Sequence, residues 1–300
     1  MQSLWMVFAS ALFAVMGACV KLAAQHYSVA EIVFYRSAIG AAILFAFVRA
    51  SGASLRTPVP WMHASRGAVG TAALSLWFFA TAVLPLGTAM TLNYSSPLFL
   101  AGFAVLAALL AGRRVQWPLA LAVAAGFVGV LLVLQPSLQA DQTVAGVAGL
   151  ASGVLSAAAY WHVKELGRLG EPEWRTVFYF SLSGVALGLA GALVTGFSSH
   201  SWRGAALLAA VGVTATTAQL AMTRAYGKGR TMLAANLQFS AVVFAAVLGE
   251  GVFDDRVPPI GYLGIALIVA SGALATLVSA RASRPVPRTS AALAEPGPER

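Results

Sequence analysis

Up to about residue 280 the chain runs as long apolar stretches separated by short polar breaks. Within each stretch the apolar residues are continuous and rich in Ala, Leu and Gly, with no alternation of apolar and polar positions. That pattern predicts helices rather than the strands of a barrel. A helix needs roughly 20 residues to cross a hydrocarbon core about 30 Å thick. Ten stretches meet that length, at 3–24, 30–48, 66–84, 88–110, 116–134, 144–163, 174–196, 204–223, 232–253 and 259–279. The expected fold is therefore an all-α membrane protein with ten transmembrane helices. Residues 3–24 lack a basic leading segment and exceed the apolar core of a signal peptide, so they read as the first span.

Composition agrees. Of 300 residues, 59% are hydrophobic and only 10% charged, where a soluble domain carries about 25% charge. The net charge of +9 is spread over helix ends and does not form one soluble basic face, so it orients the chain and does not suggest nucleic acid. With the N-terminus inside, the inner face holds Arg49, Arg56, Arg66, Arg113, Arg114, Lys164, Arg168, Arg175, Arg224, Lys228, Arg230 and the tail arginines. The outer loops keep Arg203 and Arg256. This asymmetry places both termini in the cytoplasm of a cell with an inner membrane. Residues 281–300, rich in Pro, Ser, Ala and Arg, read as a disordered cytoplasmic tail.

The two halves echo each other. Arg66-Gly67-Ala68 opens the third span and Arg203-Gly204-Ala205 the eighth. Asn93 corresponds to Asn236, and Gly129 to Gly272. Five helices per half is an odd number, so the second copy, 137–280, sits inverted relative to the first, 1–136. The loop charges fit: Gly112-Arg113-Arg114 falls inside, and its counterpart Asp254-Asp255-Arg256 falls outside. Inverted repeats around a midplane site are the architecture of secondary transporters.

Three segments carry a resemblance to a known family. They are Glu31-Ile32-Val33-Phe34-Tyr35-Arg36 in the second helix, Asn93-Tyr94-Ser95-Ser96-Pro97 in the fourth and Asn236-Leu237-Gln238-Phe239-Ser240 in the ninth. Together they resemble the EamA-like members of the drug/metabolite transporter superfamily over about residues 5–278. The family's Gly-Glu-Arg after the fourth and ninth helices is absent from both places. The resemblance implies transport of small metabolites by alternating access, with export of amino acids, aromatic ones included, as the leading expectation. A vitamin, purine or polyamine, riboflavin for example, is the alternative.

Charges within spans are costly, about 2.5–3.5 kcal/mol each at mid-helix, so each needs a role. Lys21 is close enough to a helix end to snorkel. Glu31 suits the start of the second helix. Arg36 either pairs with a carboxylate or contacts cargo or a gate. Glu250, about one turn inside the ninth span, serves as a proton-coupling carboxylate, a helix-end residue or the partner of Arg36. Candidates for substrate contact are Trp77, Phe78, Asn93, Tyr94, Trp161, Tyr179, Gln219, Asn236 and Gln238. Aromatic rings and amides suit a solute that is partly apolar and partly zwitterionic. Interfacial belts and interhelical hydrogen bonds use the same residue types. Pro97 breaks the backbone ladder of the fourth helix, either as a packing kink or to turn a carbonyl toward a cavity.

Other chemistry finds no support. The single Cys19 permits neither an internal disulfide nor a multi-cysteine metal site. Metal-protease, serine-hydrolase and phosphate-loop motifs are missing, so no enzyme, metal or cofactor is expected. The expected partners are a small-molecule substrate and the lipid bilayer. Gly149-x-x-x-Gly153 and Gly184-x-x-x-Gly188 suit close packing within the bundle or a homodimer seam.

Overall fold

The computed structural model describes residues 2–112, 117–139, 142–229, 231–255 and 257–282. Among these the regular structure is entirely helical. In chain order the helices are α1 (Trp5–Ala23), α2 (Val29–Ser51), α3 (Pro60–Val83), α4 (Leu86–Asn93), α5 (Ser96–Leu110), α6 (Trp117–Gln139), α7 (Thr143–Arg168), α8 (Glu173–Thr195), α9 (Trp202–Lys228), α10 (Thr231–Gln238), α11 (Ser240–Phe253) and α12 (Pro259–Ala282). Seven helical segments are long and apolar enough to cross a membrane: Gln2–Ala23, Val29–Ser51, Pro60–Val83, Leu86–Leu110, Thr143–Arg168, Glu173–Thr195 and Trp202–Lys228. Trp117–Val133, Ser240–Phe253 and Pro259–Leu274 are shorter apolar helices. The expected tail, 283–300, and the basic pair Arg113-Arg114 lie outside the described residues.

Large apolar side chains cover the outside of the bundle, among them Phe8, Phe45, Phe47, Leu110, Leu131, Leu193 and Val194. In water this would be an aggregating surface; against lipid it is the required one. The protein is a multi-pass membrane protein.

Helix ends depart from the expected ones for local reasons. α3 starts at Pro60, not near residue 66, because proline is favoured in the first turn, where its missing N–H has no partner to lose. The stretch predicted as one helix over 88–110 is broken at Tyr94-Ser95, and α5 resumes with Pro97 as its second residue. The stretch over 232–253 is broken at Phe239. At the first break the Leu92 carbonyl lies against Gly153, where a Cβ would come within 2.5 Å of it.

Four pairings dominate the bundle: α1 with α9, α3 with α7, α2 with α8, and α6 with α12. Glycines set the close approaches. Gly188 of α8 meets the α2 backbone, where a Cβ would stand 2.6 Å from Phe34 N, and Gly184 meets Ser37. Gly149 and Gly153 of α7 face Leu92. Both small-residue motifs therefore serve packing inside this bundle. Gly129 of α6 faces Gly264 of α12, whereas Gly272 meets the Phe239 ring.

Polar networks tie both ends. At the end bearing the chain's N-terminus, Glu171, between α7 and α8, accepts hydrogen bonds from Thr57 Oγ1 (2.9 Å), Arg175 (3.0 Å) and His63 Nε2 (3.1 Å). Arg175 also reaches the Ser54 carbonyl at 2.8 Å, and the Tyr179 hydroxyl donates to the Leu55 carbonyl at 2.8 Å. At the opposite end Lys21 forms an ion pair with Asp255 and donates to the Leu84 carbonyl at 3.2 Å. Asp255 in turn accepts from Leu86 N at 2.9 Å. Lys21 thus crosses between helices and does not snorkel to the surface. Glu31 closes a capping box with Ser28 and accepts from Ser198 N (2.8 Å) and Oγ (2.9 Å).

Two predictions follow from these contacts. Gly188→Leu overpacks the α2–α8 contact, costing about 1–3 kcal/mol, and lowers the thermal unfolding midpoint in detergent. Gly251→Ala, with nothing within 4 Å of the new methyl, leaves the midpoint in place; equal midpoints for both variants contradict the packing account. The second concerns acid. Burial raises the Glu171 carboxyl, but hydrogen bonds from Arg175, Thr57 and His63 outweigh it and hold the group below its ordinary value of 4.5. A carboxyl depressed on folding contributes stability that is fully present above the unfolded value and lost as pH falls through the folded one. Wild-type midpoints therefore fall on acidification below the ordinary carboxylate range. Glu171→Gln is less stable at neutral pH and loses less on acidification; superimposable acid limbs refute this role.

Candidate functional site

In the middle of the bundle α1, α3, α4, α7, α8 and α9 leave a polar cavity. Its wall consists of Phe13, Arg66, Gly70, Ala73, Leu74, Trp77, Asn93, Tyr94, Ser156, Ala159, Tyr160, Phe180 and Gln219. It holds about 40 Å³, room for a water molecule or so and not for a metabolite. Polar networks tie the bundle at both ends of this cavity.

The α3 face supplies most of the chemistry. Positions 66, 70, 73, 74 and 77 lie three to four residues apart, on one stripe of the helix facing the cavity. Trp77 packs edge-on to Tyr94 with centroids 6.4 Å apart. Its indole nitrogen has no hydrogen-bond partner among the described residues. From α4, Asn93 donates to Ser152 Oγ at 3.0 Å and Ser156 Oγ at 3.1 Å, which orients its amide toward α7. Tyr160 stacks on Tyr226 at 5.3 Å with the rings 19° apart. Gln219 of α9 presents an amide oxygen that is buried and unpartnered. All of these are buried, so each unpaired atom can take a partner only from within the cavity.

Of the residues the sequence nominated for substrate contact, Trp77, Asn93, Tyr94 and Gln219 come together here. Phe78 is fully buried beside Trp77 but faces the core and not the cavity. Gln238 lies behind the site, accepting from the Tyr226 hydroxyl and donating to Ser96 Oγ at 3.3 Å. Tyr179 belongs to the network at the N-terminal end, stacked on His63 at 4.7 Å. Trp161 points outward with half its surface exposed, as an interfacial tryptophan does. The Asn236 side chain lies outside the described residues.

The charged candidates are also sorted. Glu31 caps α2 and holds Ser198. Glu250 is exposed on the outside of the bundle, hydrogen-bonded by the Tyr262 hydroxyl, because α11 turns that position away from its packed face. It is neither buried nor the partner of Arg36. Arg36 is buried, with its guanidinium over the Phe180 ring at 5.0 Å and without a carboxylate partner among the described residues.

Sequence reasoning missed Arg66 and Phe180, and it favoured an interfacial place for Tyr160, which lines the cavity instead. Arg66 was expected at the inner end of the third span, as its first residue. Instead it lies almost two turns inside α3, buried, with its guanidinium 4.3 Å from the Phe180 centroid. Val59-Pro60 is the signal that finds it, since a proline start moves the helix, and with it Arg66, into the apolar layer. The paired Arg203 remains exposed in the first turn of α9. Phe180 sits in an apolar run that nothing local distinguishes from core.

Comparisons with known proteins agree with this geometry. Residues 1–135 match the EamA-like transporter family. The pseudopaline exporter of Pseudomonas aeruginosa is 33% identical, over 93% of this chain and 94% of the exporter. The riboflavin transporter of Rhizobium johnstonii is 32% identical, over 75% of this chain and 74% of the transporter. A solved crystal structure, 21% identical, shares the fold with a TM-score of 0.63 over 94% of this chain and 98% of its own. Fold, buried cavity and full-length kinship together place this chain in the EamA-like transporter family of the drug/metabolite transporter superfamily.

Proposed function

We propose that the protein is a secondary transporter of the bacterial inner membrane that moves amino acids or metabolites derived from them by alternating access around the central cavity. The observation that carries this reading is the buried-walled cavity, lined by aromatic and polar side chains, lying between two ends that are each tied by a separate polar network. A carrier opens one tie at a time. In this reading ten spans form two inverted repeats, 1–136 and 137–280, with both termini in the cytoplasm. The helix pairings support it: exchanging the halves turns α1–α9 into α7–α3, and returns α2–α8 and α6–α12 to themselves. The broken stretches α4–α5 and α10–α11 also correspond. Discontinuous helices near a midplane site are a recurrent transporter device.

Relatives that carry pseudopaline and riboflavin support a small organic cargo. The Trp77, Tyr94 and Tyr160 rings provide its apolar contact and Asn93 and Gln219 its hydrogen bonds. A riboflavin-like cargo is the second reading, favoured by the same rings.

Counterflow in proteoliposomes tests the proposal. Vesicles preloaded with unlabelled aspartate, glutamate, phenylalanine or riboflavin are expected to accumulate the labelled form of at least one of them above protein-free vesicles. Trp77→Ala slows that accumulation roughly tenfold, equivalent to about 1.4 kcal/mol of binding. Folded protein that gives no counterflow with any of these solutes contradicts the carrier reading.

A further inference from the structure

Two positive charges in the middle of this bundle have no counter-charge among the described residues. Arg36 of α2 and Arg66 of α3 are each only 3% exposed, and both guanidiniums lie over the ring of Phe180 of α8, at 5.0 and 4.3 Å. Among the described residues neither makes a hydrogen bond or ion pair, and Arg36 Nε, Arg66 Nε and Arg66 Nη1 are buried without a partner. The acids that come nearest to such a role are engaged elsewhere: Glu31 with Ser28 and Ser198, Glu171 with His63 and Arg175, Glu173 with Lys228, and Asp255 with Lys21. A ring face offsets only part of the desolvation of a cation. An unpaired buried charge is among the most destabilising features a protein carries.

The arrangement is built and not incidental. Arg66 lies across Gly70, where a Cβ would sit 1.8 Å from Nη1 and 3.1 Å from the Phe180 ring. The glycine lets the guanidinium lie against the helix and line the cavity. No acidic residue lines that cavity. An ammonium group entering it meets the Gln219 amide oxygen and ring faces, with two fixed cations close by.

From this we infer that the central cavity is an anion site: it takes organic acids with more carboxylates than ammonium groups, with a carboxylate on the Arg66 fork and the carbon body against Trp77, Tyr94 and Tyr160. Guanidinium and carboxylate match in shape and form paired charge-assisted hydrogen bonds. Arg36, on the same ring, adds a second charge that favours a dianion over a monoanion. The inference rests on this cavity being the cargo site and narrows the cargo from amino acids in general to acidic ones. Net anions rank above zwitterions, and zwitterions above cations.

The test uses the full-length protein in detergent, with thermal stabilisation read at constant ionic strength against glutarate, N-acetylglutamate, phenylalanine, threonine and putrescine. The two acids are expected to stabilise at concentrations roughly tenfold or more below those needed for the neutral or cationic probes, the difference one charge-assisted pair supplies. Arg66→Gln abolishes the preference, and Arg66→Lys, which keeps charge but not the fork, retains part of it. Gly70→Ala displaces the guanidinium without removing it and weakens the acids alone, which serves if Arg66→Gln fails to fold. Equal or stronger stabilisation by phenylalanine, threonine or putrescine overturns the inference, as does the absence of stabilisation by either acid. Counterflow separates the two claims. Acid binding without counterflow upholds the site and sinks the carrier, whereas counterflow of zwitterions or putrescine alone upholds the carrier and sinks the anion site.

Discussion

Phe180 and the two guanidiniums stacked on it are the constraint around which this bundle is organised. Three helices must meet for the contact to exist: α2 brings Arg36, α3 brings Arg66 and α8 brings the ring. Their approach depends on missing side chains. Gly184 and Gly188 let α8 close on Ser37 and Phe34 of α2, and Gly67 admits Ser183 of α8. Gly70 leaves the space that Arg66 occupies. In lipid no solvent is available to rescue a misplaced charge, so this geometry must be reached with the cations already enclosed. Enclosed cations without a counter-charge among the described residues form a place that an anion would complete, which is a useful property in a binding site and a wasteful one anywhere else.

The rest of the structure isolates that site. Apolar side chains face lipid, and polar networks hold the two ends. One end is held through Glu171 and the other through Asp255, each a carboxylate that takes several donors from different segments. Such a network is cooperative and either forms or breaks as a unit. With both formed the cavity holds about 40 Å³, too little for a metabolite.

Much of this architecture was legible in the sequence, and the reasons differ from residue to residue. Continuous apolar runs declare membrane helices because the bilayer demands length and permits few charges. Trp77, Asn93, Tyr94 and Gln219 stood out because a polar or amphipathic group within an apolar run is uncommon. Phe180 did not, since a ring that supports a cation has the same sequence appearance as a ring in the core. Arg66 was legible only with the helix start placed at Pro60; six residues of error moved it from the cavity to the helix end. Glu250 misled in the opposite direction: its depth along α11 was readable, but the face on which it lies depends on neighbours that only the fold supplies. The ion pair of Lys21 with Asp255 joins positions 234 apart in the chain, a separation at which no local pattern speaks.

The central claim is that the unpaired arginines receive the cargo's negative charge. It is tested most directly by locating a bound dicarboxylate in a crystal of the full-length protein. Bromosuccinate, found by the anomalous signal of its bromine, is predicted to lie in the central cavity with a carboxylate within hydrogen-bonding distance of the Arg66 guanidinium. Bromine density confined to the ends or to the lipid-facing surface, with Arg66 still unpartnered, would contradict the account.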